Sequence, residues 1–400
     1  MARTRIIVAP NSGEGMGGEA IKAFQHFSHL LETGAEAVLI AHVRSRPRLG
    51  ALADSPKVIL IEDGPAQRLL WRSRVLARGV DMVFHLAAAR EIRRRFAPDD
   101  VLIHYLCPIS PVALRFPPRG YDYVLGPLNG AVAYPPAFRD REGRRAALER
   151  VVAGPLQRLL GLLTGEKRRA RAVLVSGGPE TEASALRAGA RPERIVHAVD
   201  SGVSERFFGP RVRHEGVNGR FVALGRFVDY KGFDLAIEAL ARTPETITLD
   251  IFGDGAERPR LEALVRRLGL ETRVRFAGWL DNAGLAQRLG AYRGFVFPTL
   301  AEANGIVMQE AMAAGVPVIA LNWGGPARLA GPDEAIFVEP TGHEEVVAAL
   351  ADAMTRLAED PERADALSVA ARMDAERRFR WSAAAAAWAE PMGDERKTAA

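Results

Sequence analysis

Cysteine is almost absent from this sequence, which has one, Cys107, among 400 residues. A single cysteine excludes a disulfide framework and any zinc site built from several cysteines, and it fits a reducing compartment. The chain also lacks an apolar run near the roughly 18 residues that cross a bilayer, and no secretory signal opens it. We therefore expect a cytoplasmic protein that is soluble or lies peripherally on the inner face of a membrane.

Metal-binding patterns are missing as well. The sequence holds no Asp-x-Asp triplet, and its eight histidines form no cluster with the spacing of metal ligands. We therefore expect no metal ion and no cofactor. Any charge that develops in a reaction would then be stabilised by side chains and helix dipoles.

The composition that remains is that of a globular protein, with 48% hydrophobic and 26% charged residues. Four hundred residues are too many for one compact core, so two domains are expected. The net charge of +5 is unevenly spread, because residues 1–200 hold 30 Lys and Arg against 20 Asp and Glu, and residues 201–400 hold 24 against 29. The basic half indicates either an anionic partner or a solvated arginine-rich surface.

Short apolar runs alternate with amphipathic stretches, which is the pattern of parallel sheets with crossover helices. The predicted strands are 5–9, 37–42, 57–61, 101–106, 123–125, 172–176, 194–198, 220–224, 246–252, 273–277, 294–297, 316–320 and 335–338. The predicted helices are 18–31, 65–78, 179–188, 232–242, 256–268, 306–314 and 344–357, followed by an alanine-rich helical segment over 360–388. This order predicts an α/β fold of two doubly wound, Rossmann-like domains, with a turn-rich boundary over 202–219.

The strongest motif is PTLAEANGIVMQEAMAAGVPVI, which starts at Pro298. A predicted strand ends there, a loop carries Glu302, and Gly305 opens a predicted helix that contains Glu310 and stops at Gly315. The start of a helix presents unpaired N–H groups and the positive end of its dipole, which suits a diphosphate. The two carboxylates suit the vicinal hydroxyls of a sugar and of a ribose. Solvent-facing helix charges are the alternative, and the ordered set of features favours a site.

A second motif, ALGRFVDYKGFDLAIEAL, starts at Ala223. A predicted strand ends at Gly225, and a predicted helix starts near Gly232. Arg226 and Lys231 then flank a loop at the carboxyl edge of a parallel sheet, where doubly wound folds bind ligands. Two cations there suit a departing nucleoside diphosphate. Taken alone, this pattern also fits basic loop residues that only meet solvent.

Together the two motifs resemble the signature of retaining glycosyltransferase family 4, the glycosyl transferases group 1. The resemblance covers most of the chain and is most specific over residues 220–338. It implies the GT-B fold, in which two Rossmann-like domains face each other across a cleft. An acceptor-side domain would occupy residues 1–205 and a nucleotide-sugar donor domain 206–375, with C-terminal helices 360–390 packing back on the first. The implied catalytic residues are Arg226, Lys231 and Glu302, and the implied donor contacts nearby are Gly225, Asn304, Gly305, Ile306, Val307 and Glu310.

Other segments resemble the family more loosely. Residues 276–281 (FAGWLD) are similar to the strand end that holds the nucleotide base, which implies Trp279 and Leu280 as donor contacts for uracil or guanine. The loop after the first strand resembles a Gly-Gly turn, here Gly17 and Gly18, that leaves room for donor phosphate and acceptor. A nicotinamide site is the alternative there, but the acidic residue that such a site has after the second strand is missing.

The first half departs from the family at one point. Many members carry a histidine that points at the donor sugar, whereas residues 123–130 read YVLGPLNG. Asn129 is the candidate for that contact in this chain. His104, at the end of the preceding predicted strand, is a weaker candidate and better fits a hydrogen-bonded core histidine.

The resemblance implies a metal-independent enzyme that moves a hexose-type sugar, with retention, from a UDP- or GDP-sugar to a glycan or lipid-linked acceptor. The alternatives are a nucleotide-sugar epimerase or phosphorylase of the same fold and a non-catalytic nucleotide-sugar-binding protein. Residues 139–171 hold ten Lys and Arg against four Asp and Glu. That stretch either contacts an anionic membrane surface or is a helix with a solvated polar face. No nucleic acid partner is expected, because aromatic residues do not interleave with the basic ones.

Overall fold

The structure is a computed structural model, and it describes residues 3–16, 18–71, 79–130, 132–143, 154–155, 157–161, 163–211 and 219–393. The chain divides into two compact units. The first comprises Met1–Ala131, Glu149–Gly202 and Trp381–Ala400, and the second comprises Val132–Leu148 and Val203–Arg380. The sequence predicts boundaries at residues 205 and 375 and helices 360–390 packed on the first domain, whereas residues 203–380 belong to the second unit and only 381–400 return to the first. Nothing in the sequence pattern indicated that the chain also enters the second unit at residue 132.

The first unit is built on a seven-stranded parallel sheet. Its strands are β1 (Thr4–Val8), β2 (Ala37–His42), β3 (Val58–Ile61), β4 (Val101–Tyr105), β5 (Tyr123–Leu128), β6 (Ala172–Val175) and β7 (Ile195–His197). They lie in the order β3-β2-β1-β4-β5-β6-β7. Because the order reverses between β1 and β4, the loops that follow these two strands meet at the carboxyl edge of the sheet.

The second unit repeats this plan with six parallel strands. They are β8 (Arg220–Leu224), β9 (Thr248–Phe252), β10 (Val274–Gly278), β11 (Gly294–Phe297), β12 (Val318–Leu321) and β13 (Ala335–Val338). Their order is β10-β9-β8-β11-β12-β13. Here the order reverses between β8 and β11, so the loops after β8 and β11 are neighbours at the carboxyl edge.

Helices connect the strands of both units and continue after the last strand of the second. They are α1 (Gly18–Glu32), α2 (Pro65–Trp71), α3 (Val80–Arg95), α4 (Glu166–Arg169), α5 (Pro179–Arg187), α6 (Phe233–Leu240), α7 (Arg258–Arg267), α8 (Asn282–Leu289), α9 (Ile306–Ala314), α10 (Pro326–Leu329), α11 (His343–Glu359), α12 (Pro361–Arg378) and α13 (Trp381–Ala389). Within the first unit, α13 contacts α1.

Apolar residues cover both faces of the first sheet. Ile6 belongs to a buried cluster with Phe84 of α3, whereas its neighbour Ile7 belongs to a second cluster with Phe27 of α1 and Trp388 of α13. Successive residues of a strand point to opposite faces, so a strand that is buried on both sides reads as a continuous apolar run. This is why the strands were visible in the sequence.

The predicted α/β class and the doubly wound domains are confirmed, and each predicted strand has a counterpart in the structure. Three local expectations need correction. Helices α3 and α8 were missed, and β5 continues to Leu128 through Gly126 and Pro127, with a shift of register against β6. The segment 360–388 is two helices, because Phe379 and Arg380 interrupt it and Arg380 forms a bridge with Val203.

Candidate functional site

The two motifs meet at the carboxyl edge of the second sheet. One supplies the loop after β8, residues 225–232, and the other supplies the loop after β11, residues 298–305. The N–H of Leu300 donates to the carbonyl of Tyr230 at 2.8 Å, and the Thr299 hydroxyl donates to the same oxygen at 3.1 Å. The switch in strand order therefore brings the two loops together, and hydrogen bonds fix one against the other.

Two glycines allow this close approach. Gly232 has φ +66°, and a Cβ there would overlap the carbonyl oxygen of Pro298 in the other loop. Gly305 has φ +93°, and a Cβ there would stand 3.0 Å from the ring of Phe297. Both positions have left-handed backbone, which glycine adopts without steric cost. The motif glycines are thus required by the local packing.

Lys231 and Glu302 form an ion pair between the two loops. The side chains are 13% and 20% exposed, so the pair is partly shielded and still reachable from solvent. The Lys231 ammonium also lies 5.3 Å from the centroid of the Phe297 ring. This arrangement places a cation and a carboxylate side by side, which suits a ligand that carries both phosphate and hydroxyl groups.

Arg226 occupies the start of the first loop and is exposed. Its Nη2 donates to the hydroxyl of Tyr230 at 3.3 Å, a partner that sequence reasoning did not identify. Arg226 therefore lies on the same loop as Lys231 but is oriented by the tyrosine, not by Glu302. Because it is exposed, the Arg226 guanidinium is available to an anionic ligand.

The Glu302 loop is supported from a third loop, which follows β12. The N–H of Gly325 donates to the carbonyl of Glu302 at 2.6 Å. Gly324, with φ +62°, packs so closely that a Cβ would stand 2.6 Å from the same oxygen. Asn304 is buried, and its side-chain amide donates to Gln309 at 3.3 Å. The amide of Asn304 is thus engaged within its own helix start.

Helix α9 opens directly after Gly305. The glycine caps the helix without a side-chain hydrogen bond, and Ile306 and Val307, which come next, are half-buried. The first N–H groups of a helix have no partner within the helix, and the dipole adds positive potential at this end. The expected helix start is therefore present, and it follows the loop that carries Glu302, the partner of Lys231.

Glu310 lies within α9 and is 5% exposed. Asn282, at the start of α8, donates its amide to a carboxyl oxygen of Glu310 at 3.3 Å. Burial raises the pKa of Glu310 to about 8, because removal from water disfavours the ionised form. Sequence reasoning missed Asn282, although Asp281 before it is a helix N-cap whose side chain accepts from the N–H of Gly284 at 2.8 Å.

The remaining donor-side predictions of this unit lie at neighbouring strand ends. Gly225 follows β8, and a Cβ on Gly253 after β9 would overlap its carbonyl oxygen, so close packing of the two turns requires glycine at 253. Trp279 and Leu280 follow β10, where the tryptophan is 68% exposed and the leucine is half-buried. An exposed indole at a strand end offers an apolar face to a ligand.

The predictions for the first unit have a different outcome. Gly17 lies outside the described residues, and Gly18 begins α1 with nothing within 4 Å of a would-be Cβ. The packing instead requires Gly13, at φ +153°, where a Cβ would overlap Arg48. Asn129 is 9% exposed and donates its amide to Asp200 at 2.9 Å.

His104 is a core histidine, as its sequence position suggested. It is 2% exposed, and its Nε2 lies 2.6 Å from the carbonyl oxygen of Gly126. Burial lowers its pKa to about 4, so the ring is neutral at physiological pH.

Two features are absent from the described part of the chain. No three His, Cys, Asp or Glu side chains among those residues converge as metal ligands. Among the same residues, no helix has the length and apolarity needed to cross a membrane.

Most of the second unit is similar to a known protein family. Residues 212–374 match the family model described as Glycosyl transferases group 1. Over 105 residues the chain is 43% identical to the lipopolysaccharide core biosynthesis glycosyltransferase LpsE of Rhizobium meliloti, which covers 26% of this chain and 30% of LpsE. Over 311 residues it is 28% identical to the MMP alpha-(1->4)-mannosyltransferase of Mycolicibacterium hassiacum, which covers 76% of this chain and 72% of that enzyme.

A solved structure extends the likeness to the whole chain. HepE of Anabaena, crystallised in complex with UDP and glucose, matches with a TM-score of 0.66 over 98% of this chain and 100% of HepE, at 19% sequence identity. This likeness establishes the GT-B fold that the motifs implied. The match to HepE spans nearly the whole chain, whereas the alignment to LpsE spans 30% of that relative's length.

Proposed function

We propose that this chain, whose residues 212–374 match the family model described as Glycosyl transferases group 1, is a retaining glycosyltransferase. It moves a hexose-type sugar from a nucleotide-diphospho-sugar to a glycan or lipid-linked acceptor, without a metal ion. The observation that carries this proposal is the Lys231–Glu302 pair beside the open start of α9.

The leaving group is the nucleoside diphosphate. Lys231 and Arg226 neutralise its charge, and the N–H groups of Ile306 and Val307 add the field of the helix start. Glu302 orients the hydroxyls of the donor sugar, with Gly305 keeping the backbone close. Asn304 supports the same turn through its bond to Gln309.

The transfer step is a front-face substitution with no protein nucleophile. The bond from the anomeric carbon to the diphosphate oxygen breaks while the acceptor oxygen bonds to the same face of that carbon. The departing oxygen takes the acceptor proton, so charge and protons balance. This route gives retention of configuration and needs a preorganised cationic site more than it needs a general base.

Glu310 holds the ribose in this proposal, and Gly225, Trp279 and Leu280 line the approach of the diphosphate and the base. The base is uracil or guanine. Gly17, Gly18 and Asn129 remain donor contacts predicted from the resemblance. The complex of HepE with UDP and glucose, and the relation to a mannosyltransferase, support a nucleotide-sugar as the donor.

A thermal-shift screen against UDP, GDP, ADP and their sugars tests the proposal. A ligand that binds only the folded chain stabilises it by about 2.7 kcal/mol at one hundred times its Kd, which raises Tm. We expect one nucleotide class to raise Tm in the wild type and in Arg267→Ala, an exposed cation of α7, and to lose this effect in Lys231→Ala. If no nucleotide or nucleotide-sugar shifts the wild type, the proposal is wrong.

Chemistry separates the alternatives. Transfer of the sugar to an acceptor, with the product anomer assigned by NMR, distinguishes a retaining transferase from an epimerase, which returns an altered nucleotide-sugar. A phosphorylase would require inorganic phosphate for turnover. A non-catalytic binding protein would show the Tm shift and no turnover with any acceptor.

A further inference from the structure

Residues 132–143 come from the first half of the sequence but belong to the second unit. Phe138 of this segment is 2% exposed and lies in the core cluster of the second unit. The indole N–H of Trp323 donates to the carbonyl of Ala133 at 2.9 Å. The segment is therefore anchored on this unit by an apolar residue and a backbone contact.

Arg141 and Tyr134 in this segment both contact Asp229. Arg141 Nη2 lies 2.7 Å from Asp229 Oδ1 and 2.8 Å from Asp234 Oδ2, and the Tyr134 hydroxyl donates to Asp229 Oδ2 at 3.3 Å. The Arg141 side chain is 16% exposed, so its charge is largely withdrawn from water. A shielded charge-assisted contact of this kind is stronger than an exposed ion pair.

Asp229 lies in the loop after β8, between Arg226 and Lys231 in sequence. It begins a 3₁₀ turn, Asp229–Lys231, that ends at the left-handed Gly232. The N–H of Lys231 donates to Val228 at 3.0 Å, and that of Gly232 donates to Asp229 at 3.1 Å. The conformation of this turn determines the position of the Lys231 backbone and the direction in which its side chain leaves it.

The loop is therefore held from two sides. Tyr230 accepts from Leu300 on the side of the Glu302 loop, and Asp229 accepts from Arg141 on the other. The segment also reaches the third loop, since a Cβ on Gly324 would stand 3.3 Å from Val132. One short stretch of chain thus touches both the cationic loop and the support of Glu302.

We propose that Arg141, together with Tyr134, is a positioning residue for the loop 225–232. It fixes Asp229, and through that turn it holds Lys231 in the orientation that meets Glu302. The assignment of this loop to a donor diphosphate rests on the proposed function. The claim that Arg141 fixes the loop does not rest on the proposed function. The two claims are therefore tested by separate measurements.

Hydrogen–deuterium exchange of the ligand-free protein tests the fixing. In Arg141→Ala we expect amide exchange of Lys231 and Gly232 to rise about tenfold, the loss expected from one shielded charged hydrogen bond. Arg139→Ala is the matched control, because Arg139 lies on the same 3₁₀ turn and is exposed. It should leave exchange in 225–232 unchanged, and Arg141→Lys should restore part of the protection.

Two exchange results would overturn the proposal. One is unchanged exchange of the 225–232 peptide in Arg141→Ala. The other is a uniform rise across the second unit, including β12 and β13, which would mean that Arg141 only stabilises the fold. Asp229→Asn provides a second variant with the same expected local effect, should Arg141→Ala fail to fold.

The second readout is affinity and turnover. Arg141→Ala should weaken binding of the nucleotide found in the screen and lower kcat/KM by about tenfold, whereas Arg139→Ala should change neither. If the wild type binds no nucleotide, the proposed function fails while the exchange result still decides the positioning role. Normal kcat/KM in a variant with a loosened loop would show that the fixing does not serve the site.

Discussion

At the carboxyl edge of the first sheet, Asp200 accepts hydrogen bonds from Lys22, Asn129 and Ser176 at 3.1, 2.9 and 3.0 Å. At the corresponding edge of the second sheet, Lys231 pairs with Glu302. Lys22 is 2% exposed, whereas Lys231 is 13% exposed. The two sheets share one topology, but the first uses its charges to join its own strand ends and the second leaves its pair within reach of a ligand.

In both units the sheet topology determines where the charged side chains gather, and their burial determines whether they stabilise the fold or can contact a ligand. Doubly wound sheets concentrate loops and helix starts where the strand order reverses. A buried lysine must keep its acidic partner, because an unpaired buried charge destabilises the fold. A partly exposed lysine can exchange its partner for an anionic ligand.

The largest expected effect is on the first unit. Lys22→Ala leaves the Asp200 carboxylate in a shielded position without its cation, and breaking such a buried pair costs about 3 kcal/mol of unfolding free energy. Denaturant unfolding measures the change. A loss below about 0.5 kcal/mol, typical of a surface change, would mean that Lys22 is not a structural cation.

The matched change in the second unit acts on turnover. Lys231→Ala removes a preorganised charge from the leaving group, and we expect kcat to fall by on the order of 10²–10³ with little change in Tm. Steady-state kinetics with the identified donor measure it, and Arg267→Ala provides the control for loss of one surface cation. Near-normal kcat would remove Lys231 from the catalytic residues.

Two glycines sharpen the comparison at the level of the backbone. Gly34, in the first unit, has φ +70° and nothing within 4 Å of a would-be Cβ, whereas a Cβ on Gly232 overlaps Pro298. Gly34→Ala therefore costs about 1 kcal/mol for the left-handed backbone alone, and Gly232→Ala costs more. Equal unfolding free energies for the two variants would show that the loops at the site do not pack as closely as described.

The last expected effect depends on pH. The pKa of Glu310 is raised from 4.5 to about 8, so the folded chain keeps a proton that the unfolded chain has lost between these values. Stability then falls as pH rises through this window. Glu310→Gln removes this loss of stability. The Tm of the variant minus the Tm of the wild type should therefore be higher at pH 8 than at pH 5. The same change at the exposed Glu359 is the control, and a pH-independent difference would contradict the raised pKa.

Much of the fold could be predicted because local sequence patterns determine its strands and helices. β8, β11, β13 and α9 have the bounds that apolar runs and flanking glycines indicated. Helix α8 escaped because it is short and contains Gly284, and α3 escaped because its end is rich in arginine. Gly126 and Pro127 suggested an early end to β5, but neighbouring strands hold the segment in the sheet beyond them.

The candidate site was likewise predictable in part. The motifs predicted that Lys231 and Glu302 lie at one edge, since their strands precede them at similar loop lengths. Their pairing, and the contact of Asn282 with Glu310, required the order of strands and helices in space. The contacts of Arg141 and Tyr134 with Asp229 join residues about ninety positions apart, and no periodicity in the sequence encodes them.

The most direct test of the central claim is calorimetric titration of wild-type protein, Lys231→Ala and Arg267→Ala with the nucleoside diphosphate that stabilises the wild type. The account predicts saturable binding by the wild type and Arg267→Ala, and a Kd at least about tenfold higher in Lys231→Ala. Equal affinity in all three proteins would contradict the claim that the loop cation at the edge of the second sheet binds the donor phosphates.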